Sequence, residues 1–345
     1  MQLDMGKLVD AFDRGGIDRR RFMQALGAGA VSALGGCALS RLGDADAGSG
    51  FTRATAVNHL SYAVTDYART RDFYVEMFGM KVAWDNGKMC AVEFGDPAKP
   101  EGIYIVPAKP GEKAAVAHIG YSIDNFVAHK DAIAVELKRQ NISFTADAEY
   151  GWTLDDRSGY RIHFISETGI FPGANQPCMV MDSEKCKAAR AAGLKNLASA
   201  PKPSGKGFQA TAFSHIVLCV DDIVKTRDWY QQMFSMKPFY YKSDEPNAQA
   251  MLRFGNNTLY IRNSKRADGK PYVDHFALEI ENYDQNRVEA ELKRRGYNPL
   301  PDSKLGWTIQ DPEGMRIEVA GKGLPEYIGN VCKGRAPDCP GGPRG

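Results

Sequence analysis

The sequence predicts an α+β protein built from four copies of one strand–helix–strands unit, paired into two halves. Three observations carry this. At 345 residues the chain exceeds the common domain size of roughly 100–150, so two domains, each with its own core, are expected. Residues 59–81 (HLSYAVTDYARTRDFYVEMFGMK) return at 215–237 as HIVLCVDDIVKTRDWYQQMFSMK, an offset of 156 with Thr-Arg-Asp, Tyr, Met-Phe and Met-Lys in place. Each half divides again, because a short strand pattern carrying a histidine begins near 57, 117, 213 and 274, followed by a helical stretch and further strand patterns.

Residues 1–47 stand apart from this repeat. Arg19, Arg20 and Arg21 precede a weakly apolar, Ala/Gly-rich run from Phe22 to Leu39, and the stretch resembles a twin-arginine export signal. That resemblance implies the export machinery as a partner and a periplasmic or exported location. Glycines 27, 29, 35 and 36 make the run a poor membrane anchor. Cleavage is expected at Ala45-Asp46-Ala47, with Leu-Gly-Gly-Cys ending at Cys37 as an alternative lipid-anchoring site.

The first half is expected over 55–168. VNHLSYAV alternates as a strand, Asp66 is placed to cap the next helix, and Phe73, Tyr74, Met77 and Phe78 form that helix's apolar face. MCAVEFG and GIYIVPA follow as strands. Residues 169–211 lose the strand pattern; SEKCKAARAAGLKNL reads as a charged helix and SAPKPSGKG as a linker. The second half, 212–322, repeats the order with AMLRFG and TLYIRN and closes with the turn DPEG before MRIEVA. Residues 323–345 are Pro/Gly-rich and expected to be irregular.

Composition narrows the function. A hydrophobic content of 43% with 25% charged residues and a net charge of +2 leaves no basic stripe, which excludes a nucleic-acid partner. Beyond Cys37 six cysteines remain; Cys178 with Cys186 and Cys332 with Cys339 are candidate local bridges in an oxidising compartment, while Cys90 and Cys219 lie in strands as buried thiols.

The histidines carry the chemical signal. Five of the six, with Glu318, fall on equivalent positions: His59, His118 and His163 in the first half, His215, His275 and Glu318 in the second. Spacings of 59 and 45 residues in one set and 60 and 43 in the other repeat too closely for isolated core histidines, and point to metal ligation. Strand alternation places each histidine beside small residues, with the large apolar side chains on the opposite, helix-packed face. His129 lies on a helical stretch and reads as structural. Arg161 and Arg316 share the cavity-facing parity of the third ligand and are candidates to hold a substrate carboxylate, though an exposed strand-end arginine is the commoner role. Trp152 and Trp307 either line the cavity mouths or pack.

At these residues the chain resembles the vicinal oxygen chelate superfamily, the glyoxalase, bleomycin-resistance and extradiol dioxygenase group. The resemblance covers about residues 55–168 and 212–322. It implies βαβββ modules paired into two open barrels, with a divalent ion held by the first strand of each module and the last strand. His215, His275 and Glu318 match those positions, and His59, His118 and His163 match them in the other half. Tyr104 and Tyr260 stand where glyoxalase-type sites carry a fourth ligand, and a neutral tyrosine is a poor one.

Two imidazoles and one carboxylate are the ligand set of non-haem Fe(II) oxygenases. The expectation is therefore an Fe(II) dioxygenase of extradiol type, with O₂ and a catecholic or related aromatic as substrates, Tyr260 and Arg316 being candidate catalytic groups. The extradiol signature normally adds a histidine upstream and a tyrosine before Asp-Pro; here YNPLPDSKLG has no histidine and Thr308 takes the tyrosine position. A Zn, Ni or Mn lyase or isomerase, and a non-catalytic binding protein, stay open as alternatives, as does a homo-oligomer.

Overall fold

The computed structural model describes residues 51–147, 151–166, 184–194, 196–242, 248–264, 266 and 268–331. The expected export region at 1–47, Cys37, Cys178, Cys332 and Cys339 lie outside these residues, as does the Cys186 side chain.

The first half runs β1 (Ala54–Val64), α1 (Tyr67–Phe78), β2 (Lys81–Asp85), β3 (Cys90–Phe94), β4 (Glu101–Pro107), then β5 (Ala115–Ile123), α2 (Phe126–Arg139), β6 (Phe144–Asp147), β7 (Gly151–Asp155) and β8 (Arg161–Ser166). A helix, α3 (Glu184–Leu194), leads to the second half. There the order repeats as β9 (Ala210–Val220), α4 (Ile223–Phe234), β10 (Lys237–Lys242), β11 (Gln249–Phe254), β12 (Asn257–Asn263), β13 (Tyr272–Ile280), α5 (Gln285–Arg294), β14 (Leu300–Ser303), β15 (Gly306–Gln310) and β16 (Arg316–Ala320).

Local chemistry sets the helix ends. Asp66 and Asp222 cap α1 and α4 by accepting from the amides of Arg69 and Lys225. Gly79 ends α1 in the left-handed region at φ 65°; the matching Ser235 holds φ 55° without a glycine.

Each half forms one eight-stranded sheet, ordered β2-β3-β4-β1-β5-β8-β7-β6 and β10-β11-β12-β9-β13-β16-β15-β14. The long first strands of the paired modules meet antiparallel at the centre, and β8 and β16 join them in parallel. Thus β1, β5 and β8 are neighbours, as are β9, β13 and β16, and the three ligand-bearing strands of each half lie side by side.

The expected pair of separate cores is instead one continuous buried cluster running through both halves. Tyr74 of α1 stacks on Phe276 of β13, and Phe234 of α4 packs on Tyr121 of β5 and Phe164 of β8. Each helix therefore buries apolar surface against the other half's sheet, which contributes roughly 25 cal/mol per Å² of apolar area removed from water. Two buried aspartates from the β7–β8 and β15–β16 turns lock the arrangement. Asp156 Oδ2 accepts from Tyr230 Oη at 2.7 Å, and Asp311 Oδ2 accepts from Tyr74 Oη at 3.1 Å. Their second oxygens accept turn amides, those of Ser158 and Tyr160 and those of Glu313 and Met315.

A second correction concerns the segment after 323. Leu324–Val331 forms a helix, α6, because Leu324 and Ile328, one turn apart, bury against Val217, Tyr260 and Ala277 on the open face of the second sheet. The Glu326 carboxylate meets Arg253 at 2.8 Å. The Pro/Gly-rich residues that suggested irregular chain lie beyond it, outside the described residues.

Replacing Asp311 by Ala strands the Tyr74 hydroxyl and two turn amides, and is expected to cost about 1–3 kcal/mol; Tyr74→Phe, which removes only the donor, should cost about 1. Urea unfolding followed by fluorescence and circular dichroism measures both.

Candidate metal centres

A β-bulge precedes every strand-borne histidine of the two pairs. On β1 Val57 lies opposite Tyr121 and His59 opposite Gly120, so Asn58 is an inserted residue; Ala117, Ser214 and Asp274 are inserted in the same way before His118, His215 and His275. A bulge breaks the two-residue alternation and bends the strand, so consecutive side chains can turn toward one face. Asn58 Oδ1 accordingly sits 2.9 Å from His59 Nδ1, and Asp274 Oδ2 sits 2.7 Å from His275 Nδ1. With Nδ1–H donating to those oxygens, each ring presents the lone pair of Nε2 inward.

The donors converge in both halves. One ligand atom each of His215, His275 and Glu318 lies within 4.8 Å of the other two, and the same holds for His59, His118 and His163. In the second half His215 Nε2 stands 3.2 Å from Glu318 Oε2 and 3.5 Å from His275 Nε2. In the first, His59 Nε2 stands 2.9 Å from His118 Nε2, and the His163 ring centre is 5.5–5.6 Å from the other two. Ligand atoms bound to one ion at roughly 2.0–2.2 Å stand about 3–3.5 Å apart, so the second-half spacings fit a single divalent ion.

Small residues make the room. A Cβ on Gly306 would fall 1.8 Å from Glu318 Oε1, and one on Gly120 would fall 2.5 Å from the His59 ring. Glu318 Oε1 is left without a hydrogen-bond partner although the residue is 1% exposed, a costly arrangement unless a cation meets it.

Burial keeps the ligands in metal-binding form. It pushes His215 and His118 down to about 3 and His275 to about 4, the Asp274 hydrogen bond opposing the last, and drives His59 well below its usual value. At neutral pH these four rings are neutral. Burial acts oppositely on Glu318, raising its carboxyl to about 7.

Three further expectations find their places. Tyr260 is fully buried with its ring stacked on His215 at 4.5 Å, its hydroxyl has no partner, and burial and the Glu318 charge hold it well above its usual pKa. Tyr104 meets His59 edge-on at 5.1 Å. Arg316 is 43% exposed and turned to Asp274, with Nη1 2.9 Å from Oδ2, so it braces the carboxylate that orients His275. Arg161 is paired with Asp155, and His129 is exposed on α2. Trp152 stacks on Phe144, and Trp307 Nε1 donates to the Gln285 carbonyl; both pack against the helices. Cys90 and Cys219 are buried and in no disulfide.

The sequence reading missed Asn58, Asp274 and Asp302. Strict alternation puts the residue before a strand histidine on the wrong face, and only the Asx-His dipeptides hinted otherwise. Asp302 is half-buried on β14. Burial first, and the Glu318 charge second, raise its own carboxyl to about 6.

Comparison with known proteins agrees with this fold. Residues 56–164 match the model of the Glyoxalase/Bleomycin resistance protein/Dioxygenase superfamily. The Mn(II)-bound glyoxalase from Novosphingobium aromaticivorans superposes with a TM-score of 0.59 at 15% identity, covering 79% of this chain and 83% of that one. The chain has the fold of the glyoxalases and extradiol dioxygenases. An extradiol ring-cleaving dioxygenase from B. fuscum gives 0.57 at 13% identity over 81% of this chain and 75% of that one. A variant of homoprotocatechuate 2,3-dioxygenase from Brevibacterium fuscum gives 0.57 at 13% over 79% and 72%. A search of curated proteins finds no match.

Two outcomes follow from the site. Gly306→Ala should abolish metal binding at the second-half centre and Gly120→Ala at the first, each leaving the other's affinity intact, as read by metal titration. The pH dependence should also differ. A metal must displace the Glu318 proton below about pH 7, so affinity at the second centre should rise roughly tenfold per pH unit up to there and then level. For the first centre, His59 and His118 are already neutral and add no proton competition, so affinity should change less between about pH 6 and 8 than at the second.

Proposed function

We propose that the protein is an exported, Fe(II)-dependent dioxygenase of extradiol type, acting on a catecholic or related aromatic at the His215, His275 and Glu318 centre. The observation that carries this is a three-donor set of two neutral imidazoles and one carboxylate, with Tyr260 beside it held neutral. Three protein ligands leave coordination positions for a chelating diol and O₂. Fe(II) bound there supplies the electron transfer between diol and O₂ that ring cleavage needs.

The chain's own groups do the rest. Asp274, braced by Arg316, holds His275 in the tautomer that offers Nε2. The Tyr260 hydroxyl is a free donor next to His215 for a substrate oxygen. Val217, Met251, Ala277 and the α6 residues Leu324 and Ile328 supply an apolar wall on the same face, which suits an aromatic ring and excludes water.

A second reading is supported by the likeness to an Mn(II)-bound glyoxalase: a lyase or isomerase using Mn, Zn or Ni as a Lewis acid. Anaerobic reloading with Fe(II), metal counting and O₂ uptake against a catechol panel separate them. Uptake with a diol, abolished by Glu318→Ala, is the expected result; full iron occupancy with no uptake on any diol would sink the dioxygenase reading, and stoichiometric binding without turnover would favour a binding protein. For export, residues 1–47 fused to a folded reporter should carry it to the periplasm, and replacing Arg19–Arg21 by Lys should stop it.

A further inference from the structure

Arg262 has no task in the reading above, yet it lies on the same face of the second sheet as the metal donors. Tyr260 and Arg262 stand two residues apart on β12 and therefore share a side of the strand. The Tyr260 ring stacks on His215 at 4.5 Å, and the Arg262 guanidinium lies 5.9 Å from the centre of the Tyr260 ring. In register Arg262 pairs with Gln249 and Cys219, and Cys219 pairs with Tyr272, which makes one row across four strands. The next row on that face carries Tyr260, Val217 and His275. Two residues of strand separate the rows by roughly 6.6 Å, a distance that one substituted benzene ring spans.

The guanidinium lacks an anion. Arg253 is paired with Glu326 at 2.8 Å, Arg316 with Asp274 at 2.9 Å and Arg227 with Asp228 at 2.7 Å. Arg262 has neither an ion pair nor a side-chain hydrogen bond among the described residues. It is half-buried, and a charge drawn partly out of water without a partner is costly. Gln249, buried opposite it, adds an amide donor to the row.

The first half has no such row. Val106 pairs there with Ala63, and Ala63 with Ala115, so apolar residues stand where the second half has Arg262, Cys219 and Tyr272. The charge thus appears in only one copy of a shared scaffold, the copy whose donors are two imidazoles and a carboxylate.

We propose that Arg262 is a specificity-determining residue that binds a carboxylate on the side of the substrate ring away from the diol, so that the substrate of the C-terminal centre is an aromatic acid. A planar guanidinium meets a carboxylate through two parallel N–H donors, which fixes the orientation of the ring as well as selecting its charge. The inference rests on the reading of His215, His275 and Glu318 as a diol-binding metal centre, and deepens it by naming the substrate class.

The test titrates the full-length protein, loaded anaerobically with Fe(II), with two probes followed by calorimetry. One is protocatechuate, a catechol with a ring carboxylate; the other is the neutral catechol in which a methyl group replaces that carboxylate. The acid should bind the wild-type protein ~10–100-fold more tightly than the neutral diol. Arg262→Met should abolish the preference, weakening the acid by that factor and leaving the neutral diol within about twofold, which also reports that the fold and the iron site are intact. Arg262→Lys, which keeps the charge without the fork, should retain part of the preference.

Equal affinity for the two probes in the wild-type protein, a preference that survives Arg262→Met, or a loss shared equally by both probes in iron-replete Arg262→Met and Arg262→Lys would overturn the role of Arg262 while leaving the diol reading in place. Binding of neither probe to the iron-loaded wild-type protein would instead overturn the diol reading, and this inference with it.

Discussion

Buried nitrogen and oxygen atoms converging from three neighbouring strands are the constraint around which each half is organised. His59 and His118 face each other through Nε2, and His215 faces both His275 and Glu318. Desolvation keeps the imidazoles neutral, so they cannot relieve the crowding by taking up protons near pH 7. Such a cluster is unfavourable alone and favourable around a divalent ion. The bulges before the histidines, the glycines that clear space and the oxygens that orient Nδ1 all serve that convergence.

Duplication explains the scaffold, and the departures from symmetry explain the chemistry. Both halves share strand order, four equivalent bulges and the aspartate-to-tyrosine locks that tie each half's turn to the other's helix. They diverge at the donors. His163 against Glu318, and Asn58 on the first ligand against Asp274 on the second, make one centre neutral-donor and the other anionic. A dication would keep its full charge in the first and about half of it in the second, where Glu318 is the one carboxylate among the three donors.

Much of the fold was legible because it rests on repetition and local pattern. The 156-residue offset exposed the duplication, alternation located the central strands, and Asp66 acts as the cap its position suggested. The six donors were legible for the same reason, since equal spacing along two copies implies equal positions in space. What was lost was lost to geometry that has no sequence period. A bulge is one inserted residue, invisible without knowing what lies across the strand, and it hid Asn58, Asp274 and Asp302. Arg316 showed the right parity, but its partner comes from a neighbouring strand 42 residues away.

By itself the sequence determined that there are two copies, four modules and two sets of three donors, because these follow from residue identity and spacing along the chain. Tertiary structure alone decided that the halves share one core, that α6 roofs the second sheet, and that Asn58 and Asp274 turn to the ligand histidines. Those outcomes depend on register across strands and on packing between elements far apart in sequence. They are settled by which surfaces meet, a property that no stretch of chain carries alone.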